Sequence, residues 1–322
     1  MQYEGVPTPG QQEIPNGQNL FKIAVLFSLL FGAFFAGHYG AVILQHELVG
    51  AGWAVMVAKW GWLLLCGSLA SVAAQGLGVL AHDAVHKVLL KRLWLNELVG
   101  GIISAFSLLP FNANRQFHLA HHRFSHQRGL DPEQPLHNHN LLFAISAGSL
   151  IGLFLQYRIL LVNLFTRLFE RRYAAIVLKD MVYLSIAMGS YFLLIPLTGM
   201  VLEHTLLPML LTLPLFFGVR AISDHYGLPA IVREKESDEG DGSRESIQVQ
   251  QEVGGWVILT SPLLEWLWSN VNYHEVHHKF PYLSHRYLKQ AFAATHGQLP
   301  YVVADGYLRN LWRHRQRDYY HG

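Results

Sequence analysis

Cysteine is almost missing from this chain. Cys66 is the single one in 322 residues, which excludes a disulfide framework and a thiolate metal site. It sits inside an apolar run and reads as a small buried hydrophobe. Charge is scarce as well: Asp, Glu, Lys and Arg make up 14% of the residues, where a soluble domain carries about 25%. Hydrophobic residues reach 51% and the mean hydropathy is +0.22, so the chain reads as a membrane protein. A net charge of +2 is too small to draw in nucleic acid. No basic opening of a cleavable signal peptide is present; residues 1–18, with Glu, Gln, Pro and Gly, read as a mobile tail. No internal repeat is evident.

What the chain has instead is long uncharged runs. Ile23 to Leu44 and Trp60 to Ala81 each give 22 residues without a charge, and a bilayer-spanning helix needs about 20. Met181 to Leu202 is a third run and Leu206 to Ile222 a fourth, with Arg220 near its end. Two further apolar stretches are shorter. Leu98 to Phe111, with Gly100, Gly101 and Pro110, reads as a re-entrant or interfacial hairpin, and Leu141 to Gln156 as an interfacial segment. Arg233 to Glu245 reads as a solvated, mobile loop. The expected fold is therefore an all-α integral membrane protein with four transmembrane helices and a helical cap.

Charge placement orients it. With those four spans, Lys59 is the one Lys or Arg of 24 on the outer side. The positive-inside rule then makes the side of both termini cytoplasmic. Lys87, Lys91, Arg92 and Arg115 fit that rule without a binding role, although they could also meet an anionic headgroup or a protein partner.

The chemistry lies in the histidines. Asn272-Tyr273-His274-Glu275-Val276-His277-His278 places three at i, i+3 and i+4, and His118-Leu119-Ala120-His121-His122 repeats the spacing. On a helix such residues project from one face. His82 and His86 form an i, i+4 pair at the end of the second run, at a depth where ionisable groups are costly and usually functional. His225, after Asp224, emerges from the fourth run on the same side. Imidazole is the commonest transition-metal side-chain ligand. One triplet alone equally suits a solvated basic helix, but the recurrence points to a metal centre. A shared site requires an even number of crossings between His122 and His274, which is why the 141–156 segment is kept at the interface.

Several neighbours are candidates for holding the ligands. Asp83 would fix an imidazole tautomer or serve as an interfacial charge. Asp224 stands beside His225. Asn272 would bond a ligand histidine or a metal-bound water, or cap a helix. His126 follows His122 by one turn. Asp131-Pro132-Glu133 reads as a turn. His38, His46, His137, His139, His204, His285, His296, His314 and His321 read as structural or surface residues.

Eight or nine imidazoles exceed what one metal takes, so two metals are expected, and nitrogen ligation suits Fe, Zn, Cu or Ni. A closed structural zinc site would use four ligands. A transporter would need polar residues along the spans as a pathway, and these spans are nearly devoid of them. A metal pair under an apolar helix bundle fits oxidation of an unactivated C–H bond on a long apolar substrate, shielded from water.

The motifs HDAVH at 82–86, HLAHH at 118–122 and NYHEVHH at 272–278, in this order and at these intervals, resemble the integral-membrane fatty acid desaturase and hydroxylase superfamily. The resemblance spans about residues 20–290. It implies a non-haem centre of two Fe, O2 as co-substrate, a lipid acyl substrate and two electrons from an external carrier. It carries ligand roles to His82, His86, His118, His121, His122, His274, His277 and His278, and the family's extra histidine matches His225. In the stearoyl-CoA type an asparagine one turn before that histidine serves the centre; here Ala221 stands there. No His-Pro-Gly-Gly haem motif is present, so a separate ferredoxin or cytochrome b5 is the expected donor. The expected division is a tail at 1–18, a desaturase-like domain at 19–290 and a cytoplasmic segment at 291–322. A fatty acyl desaturase is the first expectation. A carotenoid ring hydroxylase or ketolase, or an acyl hydroxylase, shares the same metal set, and a His-rich membrane protein that stores or moves metal is the non-enzyme alternative.

Overall fold

Backbone amides in lipid have no water to bond to, so apolar runs of this length close their hydrogen bonds within helices. A computed structural model shows them doing so and describes residues 3–47, 52–127, 129–136, 140–228 and 253–315. The loop Arg233–Glu245 and His137, His139 and His321 lie outside the described residues. The element order is α1 (Asn16–Glu47), α2 (Trp53–Val85), α3 (Leu93–Phe106), α4 (Phe111–Phe124), α5 (Leu141–Thr166), α6 (Arg171–Leu197), α7 (Leu206–Ser223), β1 (Trp256–Leu259), α8 (Pro262–Leu267), α9 (His274–Lys279), α10 (His285–Thr295), β2 (Val302–Asp305) and α11 (Tyr307–His314).

α2 is the central helix. Its Ala70, Ala73, Ala74, Leu77 and Leu80 are fully buried against α1, α3, α6 and α7. It ends where Lys87 takes a left-handed φ of 65°. Lys87 N–H then bonds the Ala84 carbonyl, and Val88 N–H the Asp83 carbonyl, the usual closure of a helix C-terminus. α3 and α4 meet at 96° across the Ser107–Pro110 break, a sharp return rather than a straight crossing.

Five helices among the described residues are long and apolar enough to cross a membrane, one more than the four runs. The additional one is α5. It presses on α7, where a Cβ on Gly218 would lie 1.7 Å from the Ile145 carbonyl oxygen, so only glycine allows that approach. Its other end lies beside α4, with Asn163 donating to Gln116. Both ends of α5 thus touch elements that carry histidine ligand candidates.

The helix that contains the third expected run starts at Arg171 rather than Met181, because Lys179 and Asp180 are accommodated within it. Lys179 pairs with Glu97 at 3.0 Å. Asp180 is fully buried and accepts from Asn112 N–H and Nδ2 (both 2.8 Å) and from Ala113 N–H (3.0 Å). A carboxylate on the free amides of α4's first turn satisfies donors that the helix cannot. Asp180→Ala is expected to destabilise the protein by about 1–3 kcal/mol, the cost of leaving buried donors unpaired, and to lower bound metal. Thermal unfolding together with metal analysis checks this; an unchanged midpoint and metal content would show that α4 is placed by other contacts.

The fold is not wholly α. β1 and β2 pair in parallel, Trp256 opposite Val302 through Leu259 opposite Asp305. These short runs of β-branched and aromatic residues favour extended backbone, and the crossover between them carries α8, α9 and α10. The last segment is tied to α7: Asn310 donates to the Ser223 carbonyl, and the His314 ring lies 4.9 Å from that of Trp256. Where a mobile tail is expected, residues 3–15 lie against the α9–α10 region. The Tyr3 and Phe280 rings meet edge-on at 5.8 Å, and Gln12 bonds the Tyr282 carbonyl and Ser284 N–H.

Candidate metal centre

The nine histidines singled out from the sequence all converge. His82 comes from the last turn of α2 and His86 from the residue closing it. His118, His121 and His122 come from α4, His225 from the turn after α7, and His274, His277 and His278 from α9. They fall into two groups, His82, His86, His118, His122 and His277 in one and His121, His225, His274 and His278 in the other, and within each group one ring nitrogen from every histidine lies within 4.8 Å of the others. The groups adjoin, since the His122 and His278 rings stack at 4.4 Å.

Local geometry explains the division. Each i, i+4 pair (82 and 86, 118 and 122, 274 and 278) stays in one group. The histidine at i+3, His121 or His277, turns to the other. Adjacent helical positions diverge by about 100°, so a helix wedged between two centres serves both.

The donor chemistry suits cations. In the first group His118 Nε2 lies 2.9 Å from His86 Nε2 and 2.8 Å from His122 Nε2, itself 3.0 Å from His277 Nε2. In the second, His274 Nε2 lies 2.9 Å from His225 Nε2 and 3.0 Å from His278 Nε2. The Nε2 atoms of His82 and His121 are buried with no hydrogen-bond partner. Lone pairs gathered this closely repel one another unless a positive centre lies among them. Burial holds His277 and His278 far below the usual imidazole range and His86 at about 4, so these rings are neutral and able to ligate.

The opposite ring nitrogens define which tautomers are present. Burial lowers the His121 ring but Glu133 and Asp131 raise it on balance, and its Nδ1 lies 2.9 Å from Asp131 Oδ1, an acceptor, so the proton facing Asp131 sits on Nδ1. His225 Nδ1 bonds the Gly254 carbonyl at 2.8 Å with the same result. Asp224 Oδ2 lies 3.5 Å from His274 Nδ1 and 2.7 Å from Arg220. Burial, partly offset by Arg220, raises the Asp224 carboxyl to about 7. Carboxylates and carbonyls of this kind orient metal-bound imidazoles.

The other candidates sort differently. His126 is fully buried beside His225, its Nε2 2.9 Å from the same Gly254 carbonyl. Asp83 does not orient a motif histidine in the way expected: its Oδ2 bonds His285 Nδ1 at 2.6 Å and His285 N–H at 3.2 Å, tying α2 to α10. The side chain of Asp83 lies on the face of α2 turned to α10, one residue round from His82. Asn272 is not the helix cap, since Tyr273 precedes α9. Its Nδ2 donates to the Ile258 carbonyl and holds the third motif to β1.

Sequence reasoning missed Asp131 as a partner of His121. It also missed Glu133, whose carboxylate lies 3.8 Å from His121 Nδ1 and 3.9 Å from His225 Nε2, and which burial pushes up. Acidic residues inside the otherwise basic 112–140 stretch were the available signal. Gly254-Gly255 was missed too. A Cβ on Gly255 would lie 3.0 Å from His274 Cδ2 and 3.3 Å from the Asp224 carbonyl oxygen, so the strand reaches the site only as glycine.

A cavity of about 170 Å³ adjoins these histidines, lined by His82, His118, His121, His225 and His274 and by apolar residues that include Val79, Leu153, Leu213 and Phe217. Comparison with known proteins bears on what such a cavity serves. A stretch of 111 residues is 30% identical to the sn-1 oleoyl-lipid 12-desaturase of Arthrospira platensis, covering 33% of this chain and 32% of that protein. Another of 96 residues is 33% identical to the enzyme of the same name from Anabaena variabilis, covering 30% and 27%. The chain thus matches about a third of the length of these relatives. Residues 51–305, more than half of the chain and including all nine histidines, match the fatty acid desaturase family, and to that family the chain belongs.

Proposed function

We propose that the protein is a membrane fatty acyl desaturase that introduces a C=C bond into a lipid acyl chain at a centre of two iron ions. His82, His86, His118, His122 and His277 would hold one ion, and His121, His225, His274 and His278 the other. When bound, the iron pair supplies the oxidising power of O2 needed to remove hydrogen from unactivated methylenes. The balance is two adjacent CH2 groups, O2, two electrons and two protons giving CH=CH and two waters. The electrons come from a separate donor, a ferredoxin or cytochrome b5.

The chain's own residues supply position and dryness. Val79, Leu153, Leu213 and Phe217 line the cavity and would align the acyl chain with the histidines while keeping water out. Asp131 and the Gly254 carbonyl keep protons on Nδ1 of His121 and His225 and so direct their Nε2 atoms to the metal. We assign the crossings to α1, α2, α6 and α7, with α5 held at the boundary because both its ends touch histidine-bearing elements. Lys59 remains the one basic residue on the outer side, where it pairs with Glu203 at 3.4 Å, which supports cytoplasmic termini and a cytoplasmic metal site.

The observation that carries this reading is the convergence of nine imidazoles into two adjoining groups, five of them lining a largely apolar cavity, in a chain of this family. The names of the relatives, lipid 12-desaturases, support an acyl lipid as substrate. Expression in a host of defined lipid composition, followed by fatty-acid and pigment analysis, tests it. A new double bond in an acyl chain is expected; a new hydroxyl or ring oxygen without one would overturn it.

A further inference from the structure

The cavity is not apolar throughout. On α2 it is lined by Gln75, Gly78, Val79 and His82, positions i, i+3, i+4 and i+7 that form one stripe of the helix. Gln75 is 1% exposed, and neither atom of its side-chain amide has a hydrogen-bond partner. From α5, Gln156 lines the same cavity, and its Oε1 is likewise buried and unpartnered. Both glutamines line this one cavity, and residues beside them are tied to the same corner, the break after α3. Ser107 Oγ donates to the carbonyl of Ala74, the residue before Gln75, and Tyr157, the residue after Gln156, donates to the Leu108 carbonyl. Seven residues of helix separate Gln75 from His82, a rise of about 10 Å.

An unpaired amide at this depth is costly, and a plain hydrocarbon tail would leave it so. Hydroxyl side chains elsewhere in these helices satisfy themselves on the preceding turn, as Ser68 does on the Leu64 carbonyl; Gln75 does not. We propose that this corner receives a hydroxyl on the substrate, so that the preferred lipid carries an oxygen about two helical turns from the carbons that are oxidised. A hydroxyl both donates and accepts, as a primary amide requires. The proposal rests on the acyl-lipid reading of the cavity and adds a positional requirement to it.

Binding tests it without turnover. The metal-loaded, full-length protein in detergent is titrated with octadecanoic acid and with a series carrying one hydroxyl at successive carbons, read by thermal shift and by competition. One position in the series is expected to bind at least about tenfold more tightly than the unsubstituted chain, which is 1.4 kcal/mol. Gln75→Leu is expected to remove that advantage while tightening binding of the plain chain. Gln156→Leu, on a different helix, gives the same test if the first variant does not fold. Equal binding of every member by the wild type would show that water alone occupies the corner and would overturn the proposal. If plain chains bind and host lipids gain a double bond, the desaturase reading survives that failure. If no acyl chain binds at all, the desaturase reading falls with it.

Discussion

His121→Ala is expected to reduce desaturation at least a thousandfold, about 4 kcal/mol of lost transition-state stabilisation, and to leave purified protein with about one metal ion in place of two. The reason lies in the grouping. His121 is the only residue of α4 in the second group, so its loss leaves His225, His274 and His278. The first group keeps all five of its nitrogens. His118→Ala should act oppositely, weakening the first group and sparing the second. Metal analysis and product formation, measured on the same preparations, read both effects. Full activity, or two ions retained in His121→Ala, would mean that His121 is not a ligand.

Asp131→Ala is expected to weaken metal retention 10- to 100-fold, the usual cost of removing a group that orients a ligating imidazole. Asp131 does more than bond His121. Its Oδ2 accepts from His126 N–H at 2.8 Å and its Oδ1 from Glu133 N–H at 2.9 Å. It therefore holds a turn in which His126 adopts φ 61°, a conformation that non-glycine residues adopt only when surroundings impose it. Asp131→Asn keeps an acceptor for His121 but removes the charge, and should fall between wild type and Asp131→Ala. Chelator challenge followed by residual metal measures this. Equal loss in both variants would assign the effect to charge; no loss in either would leave Asp131 a role in the turn alone.

Much of this was readable in the chain. The His-x-x-His-His spacing is local, and a helix converts it into a cluster without help from the rest of the fold. The same is true of the long runs that became α1, α2 and α7. What escaped was long-range. Asp180 looked like the edge of a span because sequence counts its charge, whereas the structure sets that charge on the first amides of α4. Asp83 looked like a partner for His82 and His86 through adjacency, yet neighbouring helical positions face different ways and its partner is His285. β1 and β2 are four residues each and lie far apart in the chain, too short to announce themselves by alternation.

The sequence by itself determined the ligand type, the number of imidazoles and their pairing at i, i+4, because these follow from side-chain chemistry and helical pitch. Tertiary structure alone decided which pairs meet. His82 and His86 share a group with His118 and His122, and His121 joins His225, His274 and His278, because one face of α4 packs against α2 while the His121 ring meets those of His225 at 4.7 Å and His278 at 5.1 Å. It also decided that Asp131 and the Gly254 carbonyl hold the His121 and His225 rings and that two amides stand in the cavity. Contacts between different elements, such as those of His86 with His118 and of His122 with His277, depend on how apolar faces pack, and no local spacing encodes them.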